Sequence, residues 1–190
     1  MWHKLTKLNL LQTYHQLPLD EASRKLTTIS TPNGLYEYLR LPFGISSVVG
    51  IFQCIMTTML KGLECVCVYL NDFLVTGKTL QAHMSNLRAL LQRLRENGVT
   101  LKKDKCEFFL LEVQYLGFRV SKEGLKPIES KVRAIKEAKA PKCLSELQSF
   151  IGAVNYYSHF QPNLAPLYKL LQKSQKWQWT NLQQEANRCD

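Results

Sequence analysis

The sequence predicts an α+β chain, an antiparallel sheet with packed helices followed by a small helical domain. Three observations carry this expectation. Residues 26–39 and 64–77 read as hairpins, residues 79–97 carry an apolar stripe at helical spacing, and from residue 128 onward the patterning is helical alone.

Taken in order, "KLNLLQTYHQLPLD" (residues 7–20) predicts a strand ending near Leu11, then a turn or helix start interrupted by Pro18. "LTTISTPNGLYEYL" (26–39) sets β-branched residues around a Pro-Asn-Gly turn. "SSVVGIFQCIMTTMLKGL" (46–63) predicts a helix that stops at Gly62. The hairpin 64–77 turns at Asn71-Asp72. In 79–97, Leu80, Met84, Leu87, Leu91 and Leu94 form the stripe, Thr79 is the expected N-cap and Gly98 suits the position after the helix. A second β section runs from Cys106 to Val120, broken at Gly117 and closed by a "KEG" turn. Helices are expected over 128–139, after Pro127, and over 146–158, where Ser145 caps and Gln148 completes a capping box.

A net charge of +10 points to a polyanion such as nucleic acid, or simply to a basic soluble surface. The excess is densest over residues 102–142, with 11 basic and 6 acidic side chains. Six cysteines stand at 54, 65, 67, 106, 143 and 189. Cys65 and Cys67 would point the same way along a strand, but no second pair or spaced histidine completes a zinc set, so reduced cysteines are expected. With no long apolar run and no signal peptide, the expected setting is intracellular, cytoplasmic or nuclear.

Asn71-Asp72 taken alone is hairpin-turn chemistry, because both residue types tolerate positive φ. Its neighbours give it another reading. "KLNLLQTYHQLPLD", "STPNGLYEYLRLPFGISSVVGIFQ", "VYLNDFLV", "GVTLKKDKCEFF", "VQYLGFRVSKEGLKP" and "LQSFIGAVNYYSHF" follow one another, and together they resemble the reverse transcriptase of Ty3/gypsy-type retrotransposons over roughly residues 5–180.

The resemblance implies a right-hand polymerase palm over 1–120 with only part of its fingers, thumb and connection helices over 121–172, and over 173–190 the start of a linker towards a ribonuclease H domain. It implies RNA/DNA template-primer and deoxynucleotides as partners, further segments of the polyprotein as companions, and Mg2+ as cofactor. In that family three aspartates hold two Mg2+ ions, whose mutual repulsion is offset by anionic oxygen ligands. The corresponding positions here are Asn9, Asn71 and Asp72, so one carboxylate of three remains and Asp72 is the one expected metal ligand. The expected outcome is a palm without a competent site. Whether decay or deliberate substitution produced the asparagines stays open, as do two alternatives, a residually active polymerase and a co-opted nucleic-acid-binding module.

Other positions follow from the same resemblance. Tyr14 matches the aromatic under the nucleotide sugar, Phe43 and the preceding Arg40 the region near the incoming nucleotide, and Lys105, with Lys103 beside it, a nucleotide-proximal lysine. The segment "ISSVVGIFQ" departs from the family in lacking a proline. Tyr115, Leu116 and Gly117 match the hairpin that grips the primer end, and Lys131, Arg133, Lys136 and Lys139 would give the thumb a basic surface.

Overall fold

A computed structural model describes residues 4–157, 164–172 and 177–187. The chain divides into two compact units, Met1–Tyr115 with Val120–Gly124, and Leu116–Arg119 with Leu125–Asp190.

The first unit is built on a four-stranded antiparallel sheet: β1 (Lys4–Asn9), β4 (Val66–Tyr69), β5 (Asp72–Gly77) and β6 (Glu107–Leu110), in the order β4-β5-β1-β6. The period of two along β1 sorts its side chains. Thr6, Leu8 and Leu10 face one way, and Leu5, Lys7 and Asn9 the other. The first face packs beneath α2 (Val48–Met59) and α3 (Leu80–Glu96), in a core of Leu8, Leu10, Phe52, Met56, Phe73, Val75, Leu87, Leu90 and Leu94. On the opposite face Leu5 and Leu74 pack with Val113 and Val120. A short helix α1 (Glu21–Leu26), capped by Asp20, and the ribbon β2 (Ile29–Thr31) with β3 (Gly34–Tyr36) lie between β1 and α2 in the chain.

The helix α3 begins as expected, with the Thr79 hydroxyl accepting from the Ala82 N–H at 3.1 Å. Its buried face is His83, Leu87, Leu90 and Leu94, whereas Leu80 and Leu91 are exposed. The expected stripe is therefore rotated by about one position, because leucines at both 90 and 91 let two faces satisfy the same spacing. The first turn of α3 lies so close to the end of β5 that a Cβ on Gly77 would stand 2.4 Å from the His83 nitrogen.

The section 106–120 is richer in strands than the single break at Gly117 suggested. After β6, Leu111 interrupts the chain and β7 (Glu112–Tyr115), β8 (Phe118–Ser121) and β9 (Gly124–Pro127) form a three-stranded sheet in chain order. The chain passes from the first unit to the second along this meander.

The second unit holds α4 (Glu129–Lys136), α5 (Leu144–Tyr156), α6 (Ala165–Leu170) and α7 (Asn181–Asn187). Its core is Leu147, Phe150, Ile151, Val154, Leu164, Leu167 and Leu170, joined by Trp179 and Ala186. Ser145 does not cap α5, which starts two residues earlier than expected, at Leu144 after Cys143. Glu146 instead reaches back to accept from the Lys142 N–H at 2.8 Å. Part of the expected 146–158 helix end, and parts of 173–190, lie outside the described residues.

Candidate active site and nucleic-acid surface

The pairing of β1 with β5 sets Asn9 directly opposite Asp72. Both side chains fall on the sheet face away from α2 and α3, and the Asn9 carboxamide donates to Asp72 Oδ1 at 2.6 Å. Lys7, two residues earlier on the same face, brings its ammonium to 4.0 Å from the same oxygen and donates to the Gln114 carbonyl at 3.2 Å. The Tyr115 hydroxyl stands 3.5 Å from the Asp72 carbonyl. Burial, with the negative charge developing near Cys67 and Asp72, pushes this phenol up to about 12, so it stays a neutral donor at physiological pH.

Asn71 sits in the two-residue turn between β4 and β5, where Leu70 takes a φ of +53°. The Leu10 N–H donates to the Asn71 carbonyl at 3.0 Å, and the Lys102 N–H to the Asn9 carbonyl at 2.8 Å. This second bond brings the start of a short 3-10 turn, Lys103–Lys105, beside the end of β1, and Lys103 and Lys105 are exposed there. Asn9, Asn71 and Asp72 are thus brought together at one end of the sheet.

Tyr14 lies in a 3-10 turn, Thr13–Gln16, and packs edge-on against Phe43 at 5.0 Å and Phe52 at 5.3 Å, joining an exposed ring to the core. Arg40 donates to the carbonyls of His15 and Gln16 at 3.2 and 3.0 Å, which holds its guanidinium on the backbone of that turn. In the second unit, Leu116 and Gly117 both have positive φ, 47° and 76°. The Tyr156 hydroxyl donates to the Leu116 carbonyl and that of Tyr157 to the Gly117 carbonyl at 3.2 Å. Phe118 stacks on Tyr156 at 5.5 Å. Lys131, Arg133, Lys136 and Lys139 are exposed on and just after α4.

Sequence reasoning passed over Lys7, Gln53, Tyr156 and Tyr157. The last two stand in the quoted "NYY" motif, and Gln53 ends the quoted "GIFQ", so the motifs held them. The contacts that bring them to the site lie 15 or more residues away along the chain and leave no periodic mark.

A family model described as "Reverse transcriptase (RNA-dependent DNA polymerase)" matches residues 3–120. Curated relatives include the transposon Tf2-3 and Tf2-7 polyproteins of Schizosaccharomyces pombe, each 32% identical over 188 residues and covering 95% of this chain. The chain spans only 14% of their length. Among solved structures, the foamy viral protease-reverse transcriptase dRH in complex with double-stranded DNA superposes with a TM-score of 0.84 at 24% identity, covering 97% of this chain and 34% of that one. The same viral protein in complex with an RNA/DNA hybrid gives 0.80, at 24% identity, covering 97% and 26%. The palm-type sheet with its packed helices and the six sequence motifs agree with these likenesses, and the chain belongs to the reverse transcriptase family, among relatives in retrotransposon polyproteins of the Ty3/gypsy type.

Proposed function

We propose that this chain is a reverse transcriptase palm and thumb that has lost two-metal polymerisation and keeps a surface for RNA/DNA template-primer. The observation that carries this reading is the 2.6 Å hydrogen bond from the Asn9 amide to Asp72. The family uses Mg2+. Where two dications would need several anionic oxygens, there is one carboxylate, with an amide N–H already on Oδ1 and an ammonium 4.0 Å from it. Among the described residues no group of three or more His, Cys, Asp or Glu side chains could hold a metal ion. The donor set does not fit the two-metal group.

In this reading Tyr14 and Phe43 form the aromatic wall of a vestigial nucleotide site, Arg40 braces the turn carrying Tyr14, and Lys105 supplies positive charge beside it. The Tyr115-Leu116-Gly117 hairpin would meet a primer strand, and Lys131 and Lys136 its phosphates. A second reading, a co-opted module that binds nucleic acid without chemistry, is favoured by the exposed cations at 131, 133, 136 and 139.

The test is primer extension on an RNA template, with the chain as it stands beside Asn9→Asp/Asn71→Asp. No extension is expected from the unaltered chain, and extension by it would overturn the loss of chemistry. Mg2+ is expected to raise the melting temperature of the double variant and leave that of the parent unchanged. A double variant that ignores Mg2+ would remove the reading of these positions as a former metal site. Hybrid binding that weakens steeply with salt, and less steeply in Lys131→Ala/Lys136→Ala, supports the retained surface, while absence of binding removes it.

A further inference from the structure

The turn between β4 and β5 is not held by the sheet alone. Strand β4 is an edge of the sheet, so every second peptide group along it faces away from β5. At the end nearest the turn, those outward groups are the Val68 carbonyl and the Leu70 N–H, and one side chain meets both. Gln53, in the middle of α2, donates its amide to the Val68 carbonyl at 3.1 Å and accepts the Leu70 N–H at 2.7 Å. This is the pattern in which a residue of a neighbouring strand would pair opposite Tyr69. The same amide also reaches the Thr57 hydroxyl at 3.2 Å, which fixes its rotamer from within the helix.

Leu70 is where such support matters. Its φ of +53° belongs to the left-handed region, which a residue with a branched side chain enters at a cost and which a two-residue hairpin turn commonly gives to glycine. A relaxed Leu70 would move the Asn71 carbonyl, which accepts from Leu10, and with it the start of β5 at Asp72.

We propose that Gln53 is the positioning residue of this site: its carboxamide stands in for a missing strand, holds Leu70 in the left-handed conformation and thereby fixes where Asn71 and Asp72 sit against Asn9. The inference does not depend on whether the site is active. It is read from the backbone of the hairpin, whereas the proposed function is read from extension and the response to Mg2+.

Amide hydrogen exchange on the full chain tests it. Gln53→Met keeps the length and packing of the side chain and removes both hydrogen bonds. It is expected to speed exchange at Leu70 and Leu10 by about tenfold, with the amides of Leu90 and Leu94 in α3 unchanged. In a Leu70→Gly background, where the left-handed turn no longer needs holding, the effect of Gln53→Met at Leu10 should shrink to about twofold or less. Unchanged exchange at Leu70 and Leu10 would overturn the proposal. So would equal acceleration throughout α3, which would mark a general loss of packing, or an undiminished effect at Leu10 in the glycine background.

Discussion

Thr6 gathers three elements on one hydroxyl. Its Oγ1 lies 2.8 Å from His83 Nε2 on α3 and accepts the Phe109 N–H of β6 at 3.3 Å. The pairing of β1 with β6 slips between Leu5 and Lys7, and Phe109 at that slip has a φ of +57°. The threonine thus takes up an amide that the bulge withdraws from the ladder. Thr6→Val keeps the shape and strands both partners, and urea unfolding should show a loss of about 1–3 kcal/mol. His83 is fully buried, its Nδ1 has no partner among the described residues, and burial pushes the imidazole below its ordinary 6.5. A folded-state value below the unfolded one means the stabilisation is complete above pH 6.5 and is lost as pH falls from there through the lowered value. Denaturation midpoints should accordingly drop between pH 7 and pH 5, and His83→Gln, which keeps a hydrogen-bonding group towards Thr6 but does not titrate, should flatten that part of the profile.

At the scale of elements, α3 is the support on which the sheet rests. Replacing its cap, Thr79→Ala, should cost about 1 kcal/mol, measurable as a shift in the urea midpoint with an unchanged slope. This helix was legible in the sequence because cap, length and stop agree. Its buried face was not, because Leu90 and Leu91 both satisfy helical spacing and only tertiary packing, which sets Leu90 in the core with Phe52 and Phe73, distinguishes them. The hairpin 64–77 was legible, but its turn falls on Leu70-Asn71 rather than Asn71-Asp72, and the positive φ belongs to Leu70, a residue type that does not announce it. Its partner β1 was expected as a strand ending near Leu11 and runs Lys4–Asn9, but its pairing on both sides was not legible, since nothing local in "KLTKLN" announces it. The start of α5 escaped for a related reason. Ser145 and Gln148 have capping-box spacing, yet Glu146 binds the backbone instead. At the candidate site, the motifs located Asn9, Asn71 and Asp72, while Lys7 and Gln53 depend on contacts that only the tertiary structure brings about.

For the molecule as a whole, surface composition sets behaviour in solution. Leu26, Leu35, Leu39 and Phe43 are 61–87% exposed, all within one stretch of the first unit. Single exposed apolar residues are ordinary, but several in one stretch favour self-association despite the net charge of +10. Leu26→Lys/Leu35→Thr/Leu39→Lys should raise the concentration at which light scattering sets in, with the melting temperature nearly unchanged. The placement of β1 between β5 and β6 also has a consequence in time. Leu5 pairs with Leu110, 105 residues further along the chain. At ribosomal rates of about 5–20 residues per second, β1 waits roughly 5–20 s for its last partner. Until then one of its edges stays open, because β5, made earlier, can satisfy only the other. The strand that carries Asn9 is therefore made before both of its partners and completed only with the later of them, which makes the assembly of this sheet slow during synthesis.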